Sequence, residues 1–208
     1  MRLWPAVVVV LAAALAAAKA PAADNDVSLT VDDATVQFPG FLVMRGRVTA
    51  TTGWVDIQAR KCGERSFSSF TSAPIDRGTW EIRAPGKDIR ENAVIRAVWH
   101  RDRSGTVRIR VAPEIWVNDF ERARTGLIEV GMYAQHYYAG GKIHVQRLDR
   151  TTNRWRTVKT LLLKRDAVGV SKAVYRPSLP KGTPLRAVRP ASRDGCYIQA
   201  TSPVYVIK

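Results

Sequence analysis

The sequence predicts an all-β protein made of two tandem antiparallel β-sandwich domains, and three observations support this fold class. Short runs of alternating apolar and polar residues recur along the chain, separated by Gly, Pro and Asp at spacings of about 8–15 residues. No stretch keeps an apolar period of 3.6 residues, which a helix would need. The second half of the sequence also repeats features of the first half at a nearly constant spacing, which predicts an internal duplication.

The duplication divides the chain. Ile57-Gln58 matches Val145-Gln146 at a spacing of 88, as does Phe67 with Trp155. Arg96-Ala97-Val98 matches Arg186-Ala187-Val188 at a spacing of 90. We therefore predict domain one over residues 24–118 and domain two over residues 119–208, each near the size of a small sandwich.

The alternating runs place seven strands in domain one. The first is broken by Asp32-Asp33, and Pro39-Gly40 and Gly53 mark the next turns. The predicted strands cover residues 27–38, 41–50, 54–60, 66–72, 79–84, 93–100 and 106–117. Four tryptophans, namely Trp54, Trp80, Trp99 and Trp155, lie on predicted strands of the two domains, where large aromatic side chains usually fill the core.

A polar linker is predicted over residues 118–124, followed by six strands of domain two. Gly140-Gly141 and Pro180-Lys181-Gly182 supply its turns. The predicted strands cover residues 126–133, 142–148, 155–163, 168–175, 184–190 and 196–207.

Residues 1–22 are predicted to be a secretory signal peptide. Arg2 precedes an apolar run from Trp4 to Ala18, and small residues at Ala20 and Ala22 fit a cleavage site. The apolar run is too short for a confident membrane span, so we expect no transmembrane segment in the mature chain. The protein is therefore expected to be secreted, either extracellular or associated with the cell envelope.

Positive charge is concentrated in the second half. The whole chain has a formal net charge of +15. Residues 24–118 carry 14 basic and 12 acidic side chains, whereas residues 119–208 carry 17 and 6. Such a field favours polyanions, although basic residues can also simply decorate a solvated surface.

The two cysteines, Cys62 and Cys196, fall one in each predicted domain. If successive strands alternate in direction, both lie at the junction of two domains stacked head to tail. Oxidising conditions outside the cell favour pairing, so we predict a Cys62–Cys196 disulfide that fixes the interdomain angle. Two unpaired thiols, or pairing between molecules, are the alternatives.

A basic hairpin in domain two is the first candidate binding site. Arg154 and Arg156 share one face of a strand, and Lys164 and Arg165 follow shortly after. Guanidinium groups in a row can bind phosphate or carboxylate polymers, and the alternative is a solvated hairpin. The candidate polyanion-binding residues are Arg147, Arg150, Arg154, Arg156 and Lys159.

Tyr133, Tyr137 and Tyr138 form a second candidate site. Exposed aromatic rings beside hydrogen-bonding side chains can form a platform for carbohydrate. Packing of these rings into the fold is the interpretation that we favour over a ligand surface.

No catalytic, metal or cofactor site is expected. His100, His136 and His144 have no neighbours at metal-ligand spacing, and no nucleophile or nucleotide-binding motif is present. A hydrolase site assembled from distant residues remains an alternative. Nucleic acid is not expected as a partner, because export is predicted and no nucleic-acid-binding motif occurs.

The segments "GFLVMRGRVTATTGWVDIQARKCGERSF", "GTWEIRAP" and "IRAVW" resemble the immunoglobulin-like or fibronectin-type-III-like repeats of secreted actinobacterial proteins. The segments "GGKIHVQRLDRTTNRWRTVKT" and "GCYIQATSPVYVI" resemble the partner repeat of such tandem proteins. The resemblance implies an extracellular spacer or binding module without catalytic residues. The functional hypothesis is a structural or adhesive module whose partner is an anionic cell-wall polymer, a polysaccharide or another surface protein.

Overall fold

The computed structural model describes residues 26–38, 40–85, 89, 91–120, 126–134 and 140–208, and every regular element among them is a β-strand. The predicted signal peptide therefore lies outside the described residues. We call residues 26–112 the first half and residues 114–208 the second half. The division into independent domains stays a prediction.

The described residues of the first half form nine strands whose hydrogen-bonded order is β1-β3-β6-β5-β4-β7-β9-β2, with β8 beside β7. β5 pairs with β4 over most of its length and with β6 through its last two residues, so the chain passes from one sheet to the other there. The strands are β1 (Thr30–Val31), β2 (Thr35–Gln37), β3 (Phe41–Arg47), β4 (Trp54–Lys61), β5 (Ser68–Asp76), β6 (Thr79–Pro85), β7 (Ala93–Trp99), β8 (Asp102–Arg103) and β9 (Val107–Ala112).

In the second half, the residues that the structure describes form a four-stranded sheet, β10-β11-β15-β14, and a five-stranded sheet, β13-β12-β16, in which both β17 and β18 pair with β16. In both halves this strand order is that of an immunoglobulin-like sandwich. The strands are β10 (Glu114–Asp119), β11 (Ile128–Tyr133), β12 (Lys142–Asp149), β13 (Arg154–Leu162), β14 (Lys164–Ala167), β15 (Val170–Tyr175), β16 (Pro184–Arg189), β17 (Ala200–Thr201) and β18 (Tyr205–Val206).

The core follows the period of two that the sequence predicts for strands. Leu42 and Met44 alternate with more exposed neighbours on β3, and Ile143 and Val145 do so on β12. All four are at most 1% exposed. Burial of each such side chain contributes about 1.5–3 kcal/mol, so the alternation fixes which face of each strand is turned inward.

The repeated sequence positions form the same side-chain arrangement twice. Arg96 donates to the Gln58 amide oxygen from Nε at 3.0 Å and lies 4.1 Å over the Phe67 ring. Arg186 likewise donates to Gln146 at 2.9 Å and lies 4.4 Å over Trp155. Each glutamine follows a β-bulge. The repeat therefore preserves an arginine held between an amide and an aromatic ring.

The predicted strand over residues 106–117 and the linker over residues 118–124 are wrong. The strand divides at Pro113: β9 pairs with β7, whereas β10 pairs along its whole length with β11 of the second half. Proline has no backbone N–H to continue the first ladder, and the chain changes sheets at this point. The loop after β10 therefore joins two paired strands of one sheet, and residues 121–125 within it lie outside the described residues.

The last predicted strand, over residues 196–207, is also wrong for most of its length. Only Ala200–Thr201 and Tyr205–Val206 are extended strands. Between them, Ser202 interrupts the ladder, because its hydroxyl accepts from the Ala187 backbone N–H at 2.9 Å. Ser104 makes the equivalent contact with Ala97 in the first half.

Asp119 holds the end of the chain against β10. Its carboxylate accepts hydrogen bonds from the Tyr205 hydroxyl and from Lys208 Nζ, the latter at 2.6 Å. The bond from Lys208, followed by the bond from Tyr205, lowers the pKa of Asp119 below its usual value. Burial and the neighbouring carboxylate raise the pKa of Tyr205 to about 12.

We expect Asp119→Asn to lower the free energy of unfolding at pH 7 by about 2 kcal/mol, because two bonds to a charged acceptor weaken. A lowered carboxyl pKa stabilises the fold above the unfolded pKa of about 3.9, and this stabilisation is lost as pH falls through the folded pKa. The difference in unfolding free energy between Asp119→Asn and wild type, measured by urea unfolding, should therefore be smaller at about pH 3 than at pH 7. An equal difference at both pH values would contradict the assignment, and exposed Asp26→Asn is the matched control.

Candidate functional site

The two halves are joined by a disulfide, which confirms the predicted pairing. The sulfur atoms of Cys62 and Cys196 are 2.02 Å apart, their Cα atoms are 5.2 Å apart, and the two residues are separated by 134 positions. Cys62 follows β4, and Cys196 lies in the irregular segment before β17. Both cysteines therefore lie where the halves meet.

Asn92 adds a second tie at this junction. Its side-chain Nδ2 donates to the Gly195 carbonyl at 2.6 Å, and its backbone N–H donates to the Cys196 carbonyl at 2.7 Å. Its Oδ1 accepts from the Val111 N–H at 2.6 Å, and its own carbonyl accepts from the Cys62 N–H at 2.9 Å. One residue thus connects β7, β9 and both sides of the disulfide.

Tyr133 of the proposed carbohydrate platform is half-buried at the same junction. Its ring lies 4.9 Å from the ring of Phe38, which is 2% exposed. Tyr133 therefore packs between the halves, as the packing interpretation expects. Tyr137 and Tyr138 lie outside the described residues.

The basic hairpin consists of β12, β13 and the turn between them, and all five predicted basic residues on it are exposed. Arg154 and Arg156 lie on one face of β13, as predicted, with half-buried Trp155 between them on the other face. Arg147 lies directly opposite Arg156. Two like charges in this position repel each other, and a bound anion would offset that repulsion. Lys164 and Arg165 are not part of this hairpin, because β14 pairs with β15 of the other sheet.

One end of the hairpin borders a depression of about 260 Å³. Its lining includes Arg147, Arg150 and Lys181, and it includes no carboxylate of a described residue. Arg150 is positioned by its Nη2, which donates to the Gly182 carbonyl at 3.0 Å. Sequence reasoning missed Lys181, which stands beyond the hairpin in the turn before β16 and reaches the depression only in the folded chain. We call these three residues the anion seat.

Asp149, the carboxylate that precedes Arg150 in the sequence, is engaged within the turn. It accepts from the Thr151 and Thr152 N–H groups at 3.0 and 3.3 Å, and its second oxygen is 3.1 Å from Arg156 Nε. The backbone bond from Thr152 lowers the pKa of Asp149 most, and the contact with Arg156 adds to this effect. Asp149 therefore closes the turn and offsets part of the charge of Arg156, and it forms no ion pair with Arg147, Arg150 or Lys181.

The near-neutral first half also carries a basic surface, which the sequence analysis missed. Five arginines lie on the strands of the β4-β7-β9 sheet and on β8 beside it, and none forms an ion pair with a carboxylate in the described part of the chain. They are Arg60, Arg96, Arg103, Arg108 and Arg110. Desolvation, followed by repulsion from Arg103, lowers the pKa of Arg96. Net charge averaged over the first half hides this surface, because most of its acidic residues lie elsewhere and only Asp56 and Asp102 lie on these four strands.

The prediction that Trp54 fills the core is wrong. Its side chain is 65% exposed, whereas Trp80 is 3% exposed and Trp99 and Trp155 are half-buried. Trp54 has the same strand parity as Asp56 and Gln58, and the opposite parity, Val55 and Ile57, fills the core. The indole is therefore a surface feature of the first half.

The histidines and acidic residues form no metal site in the described ranges, where no group of three or more His, Cys, Asp or Glu side chains could hold a metal ion. His144 is half-buried, with Nδ1 2.9 Å from the Thr160 hydroxyl, and His100 contacts Trp99 edge-on. His136 lies outside the described residues. No helix in the described part of the chain is long and apolar enough to cross a membrane.

Comparison with known proteins gives little further information. No family model matches the sequence, and no curated protein matches it. Among solved structures, the human OSCAR ligand-binding domain aligns with 87% of this chain and 97% of its own length. The sequence identity is 11% and the TM-score is 0.31. We draw no functional conclusion from a similarity at this level.

Proposed function

We propose that the protein is a secreted, non-enzymatic immunoglobulin-like module that attaches to an anionic polymer outside the cell or at its envelope. The observation that carries the proposal is the anion seat, where Arg147, Arg150 and Lys181 line one depression without a carboxylate. Guanidinium groups hold phosphate and carboxylate oxygens in bidentate geometry, and the lysine adds a point charge.

The surroundings of the seat favour a polymer over a single small anion. Arg154, Arg156 and Lys159 continue the positive charge along β13, away from the depression. An extended anionic chain can contact the seat and this row at the same time, and several weak contacts then combine. The excess of basic over acidic side chains in residues 119–208 also attracts such a chain from solution.

Two features support a place outside the cytoplasm. The first 22 residues have the sequence pattern of a secretory signal peptide. The Cys62–Cys196 disulfide is compatible with an oxidising compartment. A structural or adhesive role follows from attachment combined with a covalently tied pair of halves.

Binding to polyphosphate at low salt tests the proposal. We expect the double variant R147S/R150S to bind about tenfold more weakly than wild type, since each exposed ion pair contributes up to about 1 kcal/mol. The control is Arg176→Ser, which removes an exposed arginine after β15 in the other sheet. Titration followed by calorimetry measures both affinities. An unchanged affinity of the double variant, or an equal loss in the control, would refute the assignment to the seat.

A further inference from the structure

Trp54 begins a line of four unlike side chains on the outer face of β4. Val55, Ile57 and Ala59 are at most 1% exposed, so Trp54, Asp56, Gln58 and Arg60 point the other way. At about 3.3 Å per residue, this line is about 20 Å long. It offers in turn an aromatic ring, a carboxylate, an amide and a guanidinium group.

The far end of the line opens into a depression of about 210 Å³. Arg60 and Arg108 border it on either side of Val94, which pairs with both in the sheet, and Lys61 adds a third positive charge. Gly195, from the second half, lines it as well. Its lining includes no carboxylate of a described residue, so the depression suits an anionic group.

Asp56, in the middle of the line, selects among polyanions. Its carboxylate accepts from the Ser69 hydroxyl at 2.6 Å and from Gln58 Nε2 at 3.0 Å, and each oxygen retains capacity for a further bond. A sugar hydroxyl can donate to it. The phosphate groups of a phosphodiester or polyphosphate chain present only acceptor oxygens, so they cannot donate to this carboxylate.

The aromatic side chains on this face also favour a sugar chain as the ligand. Trp54 is 65% exposed and can stack against the apolar face of a sugar ring. The guanidinium groups of Arg60 and Arg96 lie 5.2 and 4.1 Å over Phe67, so this ring is already occupied. A single stacking ring with acceptors and cations spaced along a strand suits a sugar chain better than successive stacked bases.

We propose that this outer face binds an acidic polysaccharide, with one sugar ring on Trp54 and a carboxylate of a further unit in the depression beside Arg60 and Arg108. The site is separate from the anion seat of the second half. The proposal rests on the exposure of Trp54, the order of side chains on β4 and the positive charge that borders the depression.

Binding of polygalacturonate, measured by tryptophan fluorescence and calorimetry, tests the proposal. We expect Trp54→Ala and the double variant R60S/R108S each to weaken binding at least tenfold, and Trp54→Tyr to retain most of it. Polyphosphate affinity should be the same in Trp54→Ala as in wild type. Phe41→Ala is the control, because Phe41 is 56% exposed on the other sheet.

Repeating the titrations in the R147S/R150S background separates this site from the anion seat. In that background, Trp54→Ala should still weaken polygalacturonate binding, whether or not R147S/R150S changes the affinity for polyphosphate. A Trp54→Ala variant with unchanged circular dichroism and unchanged polygalacturonate affinity would overturn the proposal. So would tighter, Trp54-dependent binding of a single-stranded oligonucleotide, which would assign the face to nucleic acid.

Discussion

Replacing both cysteines with alanine is expected to lower the free energy of unfolding by about 4–5 kcal/mol. Cys62 and Cys196 are separated by 134 positions, and in the chain-entropy model a loop of that length constrains the unfolded chain strongly. The loss is comparable with the total stability of many small proteins. Urea unfolding of the variant and of the wild type, both without reductant, measures the difference.

Reduction of the wild type provides the control for this prediction. Wild type in excess reductant should unfold at nearly the same urea concentration as the double alanine variant, since both lack the same cross-link. A difference of less than about 1 kcal/mol between oxidised and variant protein would contradict the account, because the junction would then be held by other contacts alone.

The second large effect is expected at Asn92. Asn92→Ala removes the acceptor of the Val111 N–H and the donor to the Gly195 carbonyl. Val111 is buried, so its N–H left without an acceptor costs about 1–3 kcal/mol, whereas the exposed Gly195 carbonyl can bond to water; we expect a loss of about 2–3 kcal/mol. Urea unfolding measures this loss, and Asn118→Ala, at an exposed position of β10, is the matched control.

Combining the two changes shows whether they act on one junction. Asn92 bonds to the backbone of both cysteines, so its bonds depend on the same local geometry as the disulfide. In the double alanine background, Asn92→Ala should therefore cost less than in wild type. Strict additivity of the losses would contradict a shared junction and would indicate that Asn92 stabilises the first half by itself.

The sequence was sufficient to predict the elements that repeat. The match of Gln58 and Arg96 with Gln146 and Arg186 arises because each pair holds an arginine against an aromatic ring, an arrangement that fixes residue types at fixed spacings. The disulfide was predictable because the chain contains two cysteines and alternating strands place both at one junction.

Other features depend on neighbours that the sequence pattern does not reveal. The change of sheets at Pro113 was missed because residues 106–117 read as one continuous run, although the two parts pair with different halves. Trp54 was assigned to the core by residue type, whereas its strand parity places it with Asp56 and Arg60. Lys181 joins Arg147 and Arg150 only through the fold, so no spacing in the sequence indicates the anion seat.

The salt dependence of polyphosphate binding tests the central claim, attachment to an anionic polymer through the second half, most directly. For wild type, we expect affinity to fall by about tenfold or more between about 50 and 200 mM salt, because screening weakens contacts between exposed charges. The R147S/R150S variant should show weaker binding and a shallower dependence on salt. Absence of binding at low salt, or the same dependence in both proteins, would contradict the claim.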